Sequence, residues 1–172
     1  IDEPELRDIS AADVKRVHDA VRLVDHNHPT STVIARMNEH AAYAPRVDIL
    51  WVDPYPIPHD PITKVAEYVS AAKEVAGPNQ PVWAVIQGHD QEVLRDSDLL
   101  QKIRGGMTKA RPTPDEVMNM TFQAIAAGAT GIVYYWLPNT QYHIQHHAPE
   151  TWQGIVDAVR LLNELQLFLT AR

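Results

Sequence analysis

The chain has 172 residues, of which 45% are hydrophobic and 22% charged, values close to globular averages that argue against a disordered or fibrous chain. A formal net charge of -7 argues against a nucleic-acid footprint, which would need Lys and Arg clustered on one face, and the absence of cysteine excludes disulfides and thiolate metal sites. No apolar run reaches the roughly 20 residues that span a bilayer, so a soluble protein is expected, secreted or cytoplasmic.

The chain opens on Ile1 and runs at once into Asp2, Glu3 and Glu5, with no initiator Met and no strand before them, so an N-terminal portion is expected upstream. Ser10 is a helix N-cap with Asp13 three residues on, and Val14, Val17, Val21 and Val24 follow at helical spacing as far as the His26-Asn27-His28-Pro29 turn. Two apolar runs rich in Val, Ile and Trp, Thr32 to Met37 and Val47 to Asp53, read as strands. Asp60 and Pro61 start a helix through Ile62, Val65, Ala66, Val69 and Ala72 that stops at Gly77 and Pro78. A third strand spans Pro81 to Gln87. The connection from His89 to Arg111 is about twenty residues, long enough to be read as functional. Thr113 as N-cap, Pro114 at the first helical position and Glu116 in the capping-box place open the clearest helix, which carries Val117, Met120 and Ile125 and stops at Gly128. A strand from Gly131 to Leu137 and a helix from about Pro149 to Leu169, with Trp152, Ile155, Val156, Val159, Leu162 and Leu165 as the stripe that packs on the sheet, close the chain. Strands alternating with helices predict a parallel α/β fold and one unit over residues 1–172.

Ligands of parallel α/β proteins bind beyond the carboxyl ends of the strands. The residues there are Asp2 and Glu3, then Asn38, Glu39 and His40, then Asp53 and Tyr55, then Gln87, His89 and Asp90, then Trp136 and Asn139. Carboxylates and amides suit the hydroxyls of a sugar, and aromatic rings suit its flat C–H faces, so a carbohydrate is the expected partner. A phosphate would want a glycine-rich loop at a helix N-terminus, which neither Gln87-Gly88-His89-Asp90 nor Trp136-Leu137-Pro138-Asn139 supplies.

Asp2-Glu3-Pro4-Glu5 resembles the acid-bearing Asn/Asp-Glu-Pro motif that ends strand four in clan A glycoside hydrolases. Asp48 to Ile57, with its Asp53-Pro54-Tyr55-Pro56 turn, is similar to the strand-six signature of glycosidase-like barrels, and Pro81 to Gln87 and Gly131 to Tyr135 resemble strands seven and eight. The resemblance implies the C-terminal half of a TIM-barrel-like (β/α)8 fold, strands four and five to eight with their helices, and a glycosidase activity without cofactor. Glu3 would be the acid, and Asp2, Asn38, Tyr55, Gln87, His89 and Trp136 would bind substrate. Gln87 stands where retaining members carry the nucleophilic Glu, and an amide cannot form the glycosyl ester, so Asp53 and Asp90 are the substitutes. It also implies that this half pairs with a missing N-terminal half or with itself, since four strands cannot close a barrel.

Each assignment has a structural competitor. Asp53 before Pro54 suits turn capping, Glu3 suits a helix first turn, and Tyr55 and Trp136 suit packing at a barrel rim. A non-catalytic carbohydrate-binding or scaffolding barrel fits Gln87, and a metal-dependent barrel hydrolase would use His143, His146 and His147, although no nearby carboxylate completes that triad and no metal is expected. His26 and His28 read as solvated turn residues.

Overall fold

The computed structural model describes residues 1–91, 110–135 and 143–170. The chain is α/β, and among the described residues four strands, β1 (Ser31–Ile34), β2 (Ile49–Val52), β3 (Val82–Gln87) and β4 (Gly131–Tyr135), form one parallel sheet in that order. Register pairs Thr32 with Leu50 and Leu50 with Val82, and Val33 with Trp51 and Trp51 with Trp83. The helices are α1 (Ala11–Val24), α2 (His40–Tyr43), α3 (Lys64–Val75), α4 (Pro114–Ala126), α5 (Ile144–His147) and α6 (Pro149–Leu169). Among the described residues no helix is long and apolar enough to cross a membrane.

Two compact units divide the chain. The first comprises Ile1–Pro54, Thr63–Val85 and Gln123–Val133, the second Tyr55–Ile62, Ile86–Phe122 and Tyr134–Arg172. In the first unit the backbone of residues 1–3 runs beside β1: the Ile1 amine donates to Ser31 O (3.1 Å), Val33 N to Ile1 O (3.2 Å) and Glu3 N to Val33 O (3.1 Å), with a parallel bridge from Asp2 to Val33. Residue periodicity set no strand here, because three residues carry no readable period, whereas the resemblance implied that they end one. Ile34, Leu50, Val52, Val82 and Ala84 are buried on one face of the sheet, together with Val65, Val69 and Ala72 of α3. On the other face Val33, Trp51 and Trp83 are only half-buried, and the two indoles stack at 5.1 Å. α1 begins on the predicted capping box: Asp13 N donates to Ser10 Oγ while the Ser10 N–H and hydroxyl donate to the Asp13 carboxylate. Its valine stripe is less covered than the pattern predicts, with Val14 buried but Val17 and Val24 exposed.

In the second unit Thr113 and Glu116 make the predicted capping box of α4. Val117, Ile144, Ala148 and Ile155 form its core, with Tyr134 and Trp152 against them. The α6 stripe is a partial correction: Thr151, Gly154, Ile155 and Ala158 are buried, but Val159, Leu167 and Phe168 face solvent. The strand limits at Met37 and Asp53 also shift. Met37–Glu39 and Ala44–Arg46 are 3-10 turns flanking α2, and Asp53 follows β2 as a loop residue.

Candidate functional site

A carboxylate cluster in the first unit is the strongest candidate. Glu3 is held in the left-handed backbone region (φ 43°, ψ 57°) at the head of the 3-10 turn Pro4–Leu6. L-residues other than Gly, Asn and Asp rarely adopt that conformation, and such outliers concentrate at functional sites. The parallel bridge through Asp2 and the ladder bond from Glu3 N fix the segment at the C-terminal end of β1. Asp53 directly follows Val52, the last residue of β2, and is 7% exposed. Its carboxyl is pushed up to about 8, first by burial, then by the negative charge of Glu3, by a side-chain hydrogen bond with Glu3, and by the charges of Asp2 and Glu5. At neutral pH burial and the nearby negative charge therefore keep the Asp53 carboxyl protonated.

The rest of the cluster is charged but unevenly paired. Asp2 meets Arg7 at 2.9 Å in solvent. Glu5 accepts from Ala35 N (2.7 Å) and Arg36 N (3.1 Å) through Oε1. Glu5 Oε2 and Asp53 Oδ1 are buried without a hydrogen-bond partner among the described residues. Asn38 is exposed on the 3-10 turn after β1. His40 is buried against Tyr68, ring centroids 5.9 Å apart and edge-on, and burial lowers its pKa, the Ile34 backbone opposing more weakly. A separate cleft of about 220 Å³ in this unit is lined by Val14, Val17, Val21, Thr30, Ser31 and Val47 among others. It lies at the N-terminal ends of β1 and β2, away from the carboxylates.

In the second unit Tyr55, His89 and Tyr135 form a ring cluster. His89 is fully buried and meets Tyr55 edge-on (4.7 Å, 89°) and Tyr135 edge-on (5.4 Å, 80°), while the two tyrosines are nearly parallel at 5.9 Å. Its Nδ1 lies 3.3 Å from the Tyr135 carbonyl, so Nδ1 carries the proton, and Nε2 has no partner among the described residues. Burial drives the His89 pKa down to about 4, against weaker opposing effects of the Tyr135 backbone and Asp90. Gln87 is committed to its own loop. Its Oε1 accepts from Ile57 N (3.0 Å), and its Nε2 donates to Ile57 O (2.9 Å) and His89 O (3.3 Å). Asp90 is buried in the same unit.

Of the residues expected from sequence, Asp2, Glu3 and Asp53 come together in the first unit, and Tyr55, Gln87, His89 and Asp90 all belong to the second. Trp136, Asn139 and most of the long connection after His89 lie outside the described residues. Sequence reasoning did not assign roles to Glu5 or Tyr135. Spacing could have found Tyr135, which ends β4, whereas Glu5 is placed only by its bonds to the Ala35–Arg36 backbone. His143 and His146 have their rings 6.0 Å apart, and His147 Nδ1 is occupied by the His143 backbone. Among the described residues no group of three or more His, Asp or Glu side chains could hold a metal ion. No protein-family model, curated protein or solved structure matches the chain.

Proposed function

We propose that the chain is the C-terminal part of a glycosidase-type parallel (β/α)8 barrel and hydrolyses a glycan, with the Glu3–Asp53 pair as its proton donor. The observation that carries this reading is the Asp53 carboxyl, buried directly after β2 and kept protonated at neutral pH by that burial and by the negative charge of Glu3. General acids of glycosidases need such a raised value, because the departing alkoxide must be protonated as it leaves. The parallel order β1 to β4, extended by Ile1–Glu3 beside β1, supports the barrel part of the reading.

Two-carboxylate hydrolysis sets the groups about 5–5.5 Å apart for retention and about 6.5–9.5 Å for inversion. In this reading Glu3 and Asp53 form one coupled acid rather than an acid and a nucleophile. Turnover of aryl-glycosides tests the proposal. It is expected to be level at neutral pH and to fall above about pH 8, where Asp53 loses its proton. Glu3→Gln should lower it by about 10²-fold or more. An unchanged rate in that variant removes the assignment.

A non-catalytic carbohydrate-binding barrel is the second reading, favoured by Gln87, whose amide is fully engaged with Ile57 and His89 where a nucleophile would be needed. Glycan binding without turnover of any aryl-glycoside would select it.

A further inference from the structure

The cleft at the N-terminal ends of β1 and β2 joins apolar walls to one ordered polar chain. Val14, Val17, Val21 and Val47 line it, and its walls pass from Val14, 1% exposed, to Val17, 49% exposed, so it opens to water. His18 and Thr30 line it too, and Asp48 stands behind them. The Thr30 N–H and hydroxyl both donate to the Asp48 carboxylate (2.8 and 3.0 Å), and His18 Nδ1 lies 2.6 Å from Thr30 Oγ1. Burial acts to raise the Asp48 pKa, but the two bonds from Thr30, with weaker help from His18 and Arg22, hold it below the ordinary carboxylate value. At neutral pH Asp48 is therefore ionised and only accepts. A hydroxyl has one hydrogen. Because Thr30 gives its own to Asp48, its oxygen must accept from His18, which fixes the proton of the neutral imidazole on Nδ1 and leaves the lone pair on Nε2. The His18 side chain is 18% exposed and Nε2 is not shut away from water, so this acceptor is open to a ligand.

We propose that this cleft is a small-molecule site for a neutral hydroxyl carried on a single-ring apolar body, a small phenol or alicyclic alcohol that donates to His18 Nε2. It is independent of the glycosidase reading. An apolar cavity of about 150 Å³ takes benzene, and the cleft, at about 220 Å³, admits one ring with a small substituent. The valine walls take the ring out of water while the one acceptor orients the hydroxyl, the division of labour that small-molecule sites show. An anion would set its lone pairs against that of Nε2, with the ionised Asp48 behind it. An ammonium would give up its water for a single neutral acceptor among valines, a burial that charges resist. Thr30 is a positioning residue in this site, because its bond to Asp48 decides which nitrogen of His18 accepts.

The probe is para-cresol, a neutral donor at about pH 8 because tyrosine-type phenols ionise near about 10, titrated into the full chain with isotope-labelled histidines. We expect a dissociation constant on the order of 1 mM, and binding about fivefold weaker for toluene, which keeps the ring and lacks the donor. The His18 ring, identified by its loss from His18→Phe, should show the Nδ1–H tautomer in the free chain. Its Nε2 resonance should move toward the protonated range as cresol saturates the site. Thr30→Val releases the tautomer, so cresol should lose most of its advantage over toluene while toluene binds as before. Far-UV circular dichroism checks the fold of each variant, and the comparison of cresol with toluene on the wild type decides the matter even if a variant fails to fold. Equal binding of cresol and toluene, no binding of either, or an Nε2–H tautomer in the free chain overturns the proposal. So does tighter binding of benzoate or benzylammonium than of cresol, or an unchanged cresol affinity in folded Thr30→Val.

Discussion

Asp53 is where charge and stability meet. In an unfolded chain its carboxyl ionises near the ordinary value of 3.8, whereas in the folded protein it keeps its proton up to about 8. A raised folded-state value means that the stability present below about 3.8 is progressively lost as pH rises through about 8. Asp53→Asn keeps the shape but carries no charge, so it should be more stable than wild type at pH 9, by about 1–4 kcal/mol, and equal to it at pH 3.5. Urea midpoints at the two pH values check this, and an equal difference at both would mean that the carboxyl is not buried as charge. His89 runs the other way. Its value is depressed from 6.5 to about 4, so its contribution is present above 6.5 and is lost as pH falls through about 4. His89→Phe should abolish about 3 kcal/mol of acid-induced destabilisation over that interval, read as a flatter stability profile between pH 6.5 and 4. The sequence exposed Glu3 and Asp53 as polar residues at strand ends, because a parallel β-α pattern locates those ends. It could not expose the charge of Glu3 acting on Asp53, which depends on residues 1–3 lying beside β1, nor the commitment of Gln87 to Ile57, a partner thirty positions away.

Helices were the most legible elements, since caps and stops are local chemistry. Both capping boxes, Ser10 with Asp13 and Thr113 with Glu116, form as read. Strand ends were less legible. The β1 run ends at Ile34 because Glu5 Oε1 takes the next two backbone N–H groups, at Ala35 and Arg36, an interaction across thirty residues that no local pattern contains. Glycines mark where elements close on one another. A Cβ at Gly154 of α6 would lie 2.6 Å from Pro114 Cα, backbone at the head of α4, and at Gly131 of β4 it would lie 2.5 Å from the Trp83 indole. Gly154→Ala should destabilise the protein by about 3 kcal/mol or more, because backbone must move, and Gly131→Ala by about 1–3 kcal/mol, because a half-buried ring can tilt. Gly77, whose nearest neighbour is 3.9 Å away, is the control. Gly77→Ala should be neutral or stabilising by up to about 1 kcal/mol. Thermal unfolding of the three variants ranks them, and a Gly154 variant no worse than the Gly77 one would refute the packing described for the second unit.

For the whole molecule, the α/β class and the parallel order follow from the alternation of runs and helices, but the barrel itself does not, because closure is a property of strands the pattern alone cannot count. The sheet offers a physical test. Parallel sheets are ordinarily covered on both faces, yet Val33, Trp51 and Trp83 are only half-buried, while Leu23 and Val24 on α1 and Leu167 and Phe168 on α6 face solvent. Beside β1, Ile1 and Glu3 direct their ladder bonds inward, so the backbone groups of Asp2 face away from β1, where a further strand would pair. If the chain is part of a barrel, that edge and that apolar face belong to an interior. Isolated chain should then associate: light scattering at micromolar concentration is expected to give a mass at least twice the 19.3 kDa of one chain, decreasing on dilution. Trp51→Lys, which places a charge on the half-buried face, should shift the population toward monomer, with the helical signal retained because α3 packs against β2 with Val65, Val69 and Ala72 buried. A wild-type chain that stays monomeric at high concentration and unfolds cooperatively would show that this face is complete as it stands, and the half-barrel proposal would fall with it.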